Sequence, residues 1–406
     1  MKIGIYGGTF DPPHLGHMEA ARAAVAALGL DKLLFIPAKQ PPHKTLSAES
    51  AAAEQRLAMT RLMADGLRLP GVAEASDMEL NRPGKSYTVD TLRVLKEQYP
   101  QDELWLLMGT DMFLSLQTWR EAETIMKLAG IAAFARTESD SGEMMTIQGR
   151  YLNETYGAKV CIVQLPEIRE ISSTQVRAHK SGEGLWPPVW GYILRNGLYG
   201  VGRPLNGLSD ADLRAVSYSM IRAKRIPHVQ GCEEEAVRLA QRWGADPAHA
   251  RRAAILHDCT KYLDLKEQLL LCARYGIELD DMEQSAVKLL HSKTGCALAR
   301  HLFGEPEEVC QAICWHTTGK PDMTLLEKIL YIADYMEPTR DFDGVERLRA
   351  LAYEDLDAAV LLGTEMTVEE MRGYGSPVHP NTLAARDFLK GMCPRWNTKG
   401  TAAESG

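Results

Sequence analysis

The opening apolar run of the sequence leads into a glycine-rich turn that is followed by two histidines. Gly7 and Gly8 come directly after this run, and His14 and His17 are three residues apart at the start of a helical stretch. Paired glycines let the backbone approach a phosphate group closely, and the exposed amides of a helix N-terminus attract anions. Side chains three residues apart on a helix are neighbours, so both imidazoles can reach one oxygen atom. The pattern therefore predicts a phosphate-binding site between residues 7 and 17.

A second group of candidate residues lies in the second half of the chain and consists of histidine and aspartate side chains. They are His228, His257, Asp258, His291, His316 and Asp334. Imidazole nitrogens and carboxylate oxygens are common ligands of divalent metals. Adjacent residues on a helix are about 100° apart, so His257 and Asp258 can both point into the interior of a helical bundle only at its centre line. At that position one carboxylate can bridge two cations. The pattern predicts a divalent-metal site assembled across several helices.

The elements that must position the first group are short buried strands that alternate with helices. Apolar runs with the length and composition of buried strands recur between residues 1 and 199. They are Lys2–Tyr6, Leu33–Pro37, Leu104–Met108, Ile131–Ala135 and Val160–Leu165. Their alternation with helical stretches predicts an α/β domain built on a parallel sheet with crossover helices.

The second half has a different pattern, which predicts a helical bundle. From about residue 209, apolar residues recur three and four positions apart, as in Leu325, Ile329 and Ile332. The glycine-rich stretch Asn196–Gly207 between the halves favours neither helix nor strand. We therefore predict a first domain over residues 1–200, a linker over 201–207, an all-α second domain over 208–394 and a disordered tail over 395–406.

Composition and net charge indicate which classes of molecule the chain is expected to bind. The chain has 46 Lys and Arg against 54 Asp and Glu, a net charge of -8, which argues against nucleic acid or an anionic membrane as a partner. No apolar run approaches the roughly 20 residues that span a bilayer, and the start lacks a secretory signal, so we expect a cytoplasmic location. The 8 Cys are scattered without a C-x-x-C pair, which predicts reduced thiols rather than a disulfide framework.

The segment GGTFDPPHLGH resembles the signature of the nucleotidylyltransferases, and in particular that of bacterial nicotinate-nucleotide adenylyltransferases. Further blocks occur in the order that this family shows. They are Pro41–Lys44, Ser86–Leu92, Met108–Trp119 and Ile171–Arg177. The resemblance covers roughly residues 1–200. It implies a Rossmann-like domain that transfers the adenylyl group of ATP to nicotinate mononucleotide, giving deamido-NAD and pyrophosphate.

The same resemblance implies a set of ATP-binding residues. They are Gly7, Gly8, Thr9, Phe10, His14, His17, Ser173, Thr174 and Arg177. Adenylyl transfer needs no enzyme nucleophile, because the phosphate of the mononucleotide attacks the α-phosphorus of ATP, so positioning and charge neutralisation supply the catalysis. His17 and Lys44 are expected to stabilise the developing charge, and His14 is expected to contact the triphosphate. Arg177 is a further expected catalytic residue, and Mg²⁺ is expected with the departing pyrophosphate.

The residues that the resemblance places at the nicotinate mononucleotide are Tyr87, Thr88, Asp111, Trp119 and Arg136. Tyr87 and Thr88 would line the nicotinate pocket, and Trp119 would stack on the ring. Asp111 would lie near a ribose, and Arg136 would contact a phosphate. Alternatives stay open, since Trp119 could anchor the core, Thr88 could cap the following helix and Arg136 could form a surface salt bridge. The pocket blocks contain no evident Lys or Arg for the nicotinate carboxylate, which leaves backbone amides as candidates to bind it.

The second half resembles the HD superfamily of metal-dependent phosphohydrolases. The segments Ile226–Val229, Ala254–Lys261 and His316–Arg349 are similar to the bacterial family that hydrolyses diadenosine tetraphosphate symmetrically into two ADP. The resemblance covers roughly residues 208–392 and implies two divalent metals, with iron favoured.

This second resemblance also implies how the metal ligands are shared. One metal would be held by His228, His257, Asp258 and Asp334. His291 and His316 would hold a second metal, which Asp258 would also contact. Lys261 would contact a phosphate oxygen in a catalytic role, although it could equally be a solvated lysine.

Two alternatives for the function remain open from the sequence. The helical half could be a nucleotide-sensing module that retains its ligands but regulates the first half, and the acceptor in the first half could be phosphopantetheine. The expected partners are small nucleotides, namely ATP, nicotinate mononucleotide and dinucleoside tetraphosphates. The sequence leaves the oligomeric state open, including a homo-oligomer.

Overall fold

The computed structural model describes residues 1–42, 45–69, 71–135, 137, 140, 142–202 and 204–393. The chain divides into two compact units, Met1–Arg203 and Pro204–Gly406, and the division falls within the glycine-rich stretch. The tail predicted over residues 395–406 lies outside the described residues.

A six-stranded parallel sheet forms the centre of the first unit, which confirms the predicted α/β class. The strands are β1 (Lys2–Gly8), β2 (Lys32–Pro37), β3 (Ala73–Ala75), β4 (Glu103–Gly109), β5 (Gly130–Phe134) and β6 (Val160–Val163). Their order across the sheet is β3-β2-β1-β4-β5-β6, so the order reverses between β1 and β4. In open α/β sheets, ligands bind at the carboxyl ends of the strands that flank such a reversal.

Strand β3, a three-residue strand at one edge of the sheet, was not predicted from the sequence. Its residues are half-buried or exposed, so the segment contains no apolar run that would mark a strand. Only its pairing with β2, in which Leu33 lies opposite Ala73, defines it as part of the sheet.

Helices accompany the strands of the first unit. They are α1 (Leu15–Leu28), α2 (Ala53–Gly66), α3 (Thr88–Gln98), α4 (Thr110–Ser115), α5 (Ala122–Leu128), α6 (Gly142–Tyr156), α7 (Ser173–His179) and α8 (Pro187–Asn196). On one face of the sheet, Ile5 of β1 lies between Leu34 of β2 and Leu106 of β4. These buried side chains form one apolar cluster with Val89 and Leu92 of α3, which fixes α3 against the strands that end at the reversal.

Helices are the only regular secondary structure in the described residues of the second unit, as predicted. Its helices are α9 (Asp210–Tyr218), α10 (Ile226–Trp243), α11 (Pro247–Leu256), α12 (Leu265–Tyr275), α13 (Val287–His301), α14 (Glu307–Trp315), α15 (Leu325–Met336), α16 (Val345–Glu354), α17 (Leu356–Gly373) and α18 (Pro380–Met392). Fully buried side chains such as Leu239, Ile255 and Ile329 occur on α10, α11 and α15, which pack together. Within the described ranges, every helix is too short or too polar to cross a lipid bilayer.

Candidate functional site

A cleft of about 470 Å³ lies at the carboxyl ends of β1 and β4. It brings together most of the residues that the sequence analysis placed at ATP and at the mononucleotide. These are Gly7, Gly8, Thr9, Phe10, His14, His17, Tyr87, Thr88, Asp111, Trp119, Ser173 and Thr174. Arg177 is described but does not line the cleft, and Lys44 and Arg136 lie outside the described residues.

The glycine turn at the end of β1 brings the backbone against an aromatic ring. A Cβ atom on Gly8 would lie 3.1 Å from the ring of Phe10, whereas a Cβ atom on Gly7 would meet no atom within 4 Å. Phe10 is 2% exposed, so its side chain fixes the turn to the core. A side chain at position 8 would therefore press on the Phe10 ring, whereas Gly7 borders open space in the cleft.

His14 and His17 lie side by side at the N-terminus of α1. Their ring centroids are 3.7 Å apart, and the backbone N–H of His14 donates to Nδ1 of His17 over 3.1 Å. Because Nδ1 of His17 accepts this hydrogen bond, the proton of the neutral ring is on Nε2. The N–H donor of a neutral His17 ring is therefore at Nε2, and its contact with a phosphate oxygen stays a prediction.

A buried polar cluster, which the sequence analysis missed, holds the turn in place. Oδ1 of Asp11 accepts hydrogen bonds from the Tyr199 hydroxyl at 2.7 Å and from the Ala51 N–H at 3.0 Å. The buried guanidinium of Arg56 donates to the carbonyl oxygen of Thr9 at 2.7 Å. Burial and the nearby Asp11 carboxylate raise the pKa of Tyr199, so its hydroxyl remains a donor. No local pattern marks these contacts, because Asp11 and Tyr199 are 188 residues apart in the chain.

The start of α7 reaches the same turn. Ser173 and Thr174 line the cleft, and Ser173 Oγ donates to the Pro12 carbonyl oxygen at 2.9 Å. The guanidinium of Arg177 donates to the Asp11 carbonyl oxygen and to Thr174 Oγ1. Arg177 thus supports the turn in this structure, and its direct contact with a phosphate stays a prediction.

The start of α3 and Trp119 line another part of the cleft. Tyr87 is the N-cap of α3 and Thr88 is its first helical residue, so the alternative that Thr88 caps this helix is wrong. Trp119 is half-buried, packs against the core and also lines the cleft, so it has features of both proposed roles. Glu79 is a buried cleft residue that was not predicted from the sequence. Desolvation raises the pKa of its carboxyl group, which accepts a hydrogen bond from Thr91.

The helical unit gathers the predicted metal-binding side chains around Asp258. Two groups of ligand atoms share Asp258, and within each group all atoms lie within 4.8 Å of one another. His228 on α10 and His257 after α11 complete one group, and His291 on α13 and His316 after α14 complete the other. Asp334 on α15 places Oδ1 2.9 Å from Nε2 of His228. This grouping is the one that the resemblance implies, and metal binding stays a prediction.

The tautomers of the histidines suit the binding of cations. Nδ1 of His257, His291 and His316 each lies 2.7 Å from the backbone carbonyl oxygen three residues earlier. Since a carbonyl oxygen only accepts, each Nδ1 carries the proton and each Nε2 offers a lone pair to the cluster. Burial, together with the neighbouring His291 and His257, lowers the pKa of His316 well below its usual value, so this ring stays neutral. Nε2 atoms of His291 and His316 are only 3.1 Å apart, and a shared cation would relieve the repulsion of their lone pairs. The residues present therefore fit divalent metals.

Cationic side chains surround the shared carboxylate. Arg225 Nε donates to Oδ2 of Asp258 at 2.6 Å, and Lys261 Nζ donates to Oδ1 at 3.0 Å. Although burial raises the pKa of Asp258, the neighbouring histidines and Lys261 lower it well below its usual value. The buried Glu337 lies 2.9 Å from Nδ1 of His228, which fixes that ring. Arg225 and Glu337 were not predicted from the sequence, although each lies three residues from a predicted ligand.

Asp280, Glu283 and His379 form a third group of ligand atoms within 4.8 Å. Nδ1 of His379 accepts from the Asn381 N–H at 3.1 Å, so its Nε2 carries the proton, and this atom lies 3.0 Å from Asp280 Oδ2. Lys293 pairs with Glu283 at 2.6 Å. Among the described residues, the approach to Asp280 is an ion-pair distance only, and the buried Nε2 of His379 has no hydrogen-bond partner.

Comparisons with known proteins assign a family to each half of the chain. The cytidylyltransferase-like family matches residues 5–179, and the HD domain family matches residues 225–339. The probable nicotinate-nucleotide adenylyltransferase of Thermus thermophilus is 40% identical over 205 residues, which are 49% of this chain and 100% of that protein. That of Neisseria meningitidis is 37% identical over 204 residues, which are 49% of this chain and 98% of that protein. The chain belongs to the nicotinate-nucleotide adenylyltransferase family.

The nicotinate-nucleotide adenylyltransferase domain is the N-terminal half of the chain, and an HD domain follows it. A crystal structure of a predicted HD superfamily hydrolase involved in NAD metabolism from Clostridium acetobutylicum is 39% identical, with a TM-score of 0.45. It covers 46% of this chain, and this chain covers 98% of it.

Proposed function

We propose that the first unit transfers the adenylyl group of ATP to nicotinate mononucleotide, giving deamido-NAD and pyrophosphate. The observation that carries this proposal is one cleft lined both by the glycine turn with His14 and His17 and by Tyr87, Thr88 and Trp119. The first set suits a triphosphate, and the second set suits a flat aromatic ring. Membership of the nicotinate-nucleotide adenylyltransferase family supports the same reaction.

In the proposed reaction, an oxygen of the mononucleotide phosphate attacks the α-phosphorus of ATP, and the bond from this phosphorus to the β-phosphate breaks. Negative charge on the phosphoryl group and on the departing pyrophosphate must be neutralised as this happens. Nε2–H of His17 would donate to this charge, and His14 would contact the triphosphate. Lys44, outside the described residues, would contribute a further positive charge. Mg²⁺ bound with ATP would neutralise the pyrophosphate.

The test is an assay of the whole chain with ATP and a panel of acceptors. We expect deamido-NAD and pyrophosphate to form in equal amounts from nicotinate mononucleotide, with slower reaction of nicotinamide mononucleotide. A preference for phosphopantetheine would replace this proposal by the alternative acceptor.

We further propose that the helical unit is a metal-dependent hydrolase that cleaves diadenosine tetraphosphate symmetrically into two ADP. The observation that favours hydrolysis is the pair of ligand groups that share Asp258. Two divalent metals, with iron favoured, would polarise a phosphoryl group and lower the pKa of a bound water. Arg225 and Lys261 contact Asp258, and Arg340 contacts Asp334 at 2.8 Å. These cations are therefore placed to bind phosphate oxygens beside the carboxylates.

Turnover of diadenosine tetraphosphate by the whole chain, loaded in turn with different divalent metals, tests this second proposal. We expect two ADP per substrate and a loss of turnover on treatment with a chelator. Binding of the dinucleotide without turnover under any metal would favour the sensing alternative.

A further inference from the structure

Arg120 occupies a defined position in the cleft of the first unit. It follows Trp119 and lines the cleft together with Tyr87 and Thr88. Its guanidinium carbon lies 4.6 Å from the centroid of the Tyr87 ring. Stacking on an aromatic ring uses the flat face of a guanidinium and leaves the N–H donors at its edge available. The Tyr87 ring therefore orients Arg120 without using its hydrogen-bond donors.

The acidic neighbour of Arg120 is engaged by another arginine. Nε of Arg120 lies 3.9 Å from Oε1 of Glu121, which is a long ion pair. The same Glu121 carboxylate accepts hydrogen bonds from Arg93 at 2.5 and 3.4 Å. Arg120 therefore keeps donors for an anion in the cleft.

The other described cationic residues of the cleft have different partners. Arg169 pairs with Glu19 at 2.5 Å, and His14 and His17 lie at the glycine turn. Arg120 is thus the described cation that accompanies the expected nicotinate-binding residues. The N-terminus of α3, whose first residue is Thr88, adds partial positive charge to this part of the cleft.

We propose that Arg120 makes the first unit select nicotinate over nicotinamide mononucleotide by binding the ring carboxylate through its guanidinium. The proposal rests on the proposed adenylyl transfer and names a specificity-determining residue for it. The carboxylate on the nicotinate ring carries a full negative charge, and its two oxygens match the guanidinium fork. The amide of nicotinamide is neutral and offers Arg120 only its carbonyl oxygen, because its N–H₂ group is a donor. Arg120 therefore stabilises bound nicotinate mononucleotide more than bound nicotinamide mononucleotide.

The test measures kcat/KM for both mononucleotides at saturating ATP in the parent chain and in three variants. In Arg120→Gln, kcat/KM for nicotinate mononucleotide should fall about 10- to 100-fold, mostly through KM, as expected for one hydrogen bond to a charged group. The value for nicotinamide mononucleotide should change by less than about twofold. Arg120→Lys keeps the charge and should give a smaller loss. The matched control Arg61→Gln, an exposed arginine of α2 that does not line the cleft, should leave the ratio of the two values unchanged.

The outcomes separate this proposal from the one on which it rests. Failure of the parent chain to use nicotinate mononucleotide removes the proposed function itself. An active parent with an unchanged acceptor ratio in Arg120→Gln overturns the role of Arg120. An equal loss with both acceptors, in a variant with the parent's melting temperature, also overturns it, because a general positioning role would not discriminate between them.

Discussion

At the scale of single residues, His17 has a donor atom that its own backbone environment defines. Nδ1 accepts the His14 N–H, which leaves the proton on Nε2, where it can meet charge that grows in the transition state. His17→Ala should therefore lower kcat for adenylyl transfer by roughly 10² to 10³, with a smaller change in ATP affinity. Steady-state rates and ATP titrations measure the two effects. His249→Ala, in the helical unit, is the control, and an unchanged kcat with lost ATP binding would contradict this role.

Asp258 is the residue on which both ligand groups of the helical unit depend. Asp258→Asn keeps the shape of the side chain but replaces a carboxylate that can bridge two cations by a neutral amide. Bound metal and diadenosine tetraphosphate hydrolysis should both fall, and adenylyl transfer should stay within about twofold of the parent. Metal analysis and both assays on one preparation measure this. Full metal content with intact hydrolysis would remove Asp258 from the site, whereas a joint loss of both activities in a folded chain would favour communication between the halves.

At the scale of elements, the turn after β1 is fixed by segments from distant parts of the first unit. Tyr199, just after α8, donates to the buried Asp11 carboxylate at 2.7 Å, and Arg56 of α2 holds the Thr9 carbonyl oxygen. Cleft geometry therefore depends on how α2 and the end of α8 pack, as well as on the turn sequence.

Tyr199→Phe tests this dependence. Loss of a buried hydrogen bond to a charged group should lower the free energy of unfolding of the first unit by about 1 to 3 kcal/mol. The rate of adenylyl transfer should fall as well, because the turn that carries the donors loosens. Chemical denaturation and kcat measure the two effects. Tyr192→Phe, on the half-buried face of α8, is the matched control, and equal behaviour of both variants would show that the Asp11 contact contributes nothing specific.

At the scale of the whole molecule, the chain divides into two compact units. Each candidate site is assembled from residues of one unit, since the cleft uses residues up to Thr174 and the histidine cluster begins at His228. Fragments 1–203 and 208–406 should therefore each unfold cooperatively and keep their own activity. Calorimetry and the two assays on each fragment check this. A fragment without a cooperative transition would show that its core requires the other half.

Local features of the sequence determined the fold class of each half and most of the residues that line the cleft. Runs of buried strand residues and helical periodicity depend on neighbours in the chain, so the parallel sheet and the helical unit could be predicted. The glycine turn, His14 and His17 belong to one short segment, and their proximity at the helix N-terminus follows from that spacing. The short edge strand β3 was missed because it has no apolar run of its own.

Tertiary structure decided the features that depend on residues far apart in the chain. The Tyr199 contact spans 188 residues, and the Glu337 contact with His228 spans 109. Ring tautomers of the histidines follow from which backbone group each Nδ1 meets after folding. Arg120 shows the same limit, because its guanidinium lies over the ring of Tyr87, a residue distant from it in the chain. Hydrogen-bond partners and charge environments are properties of distances in space, which spacing along the chain does not contain.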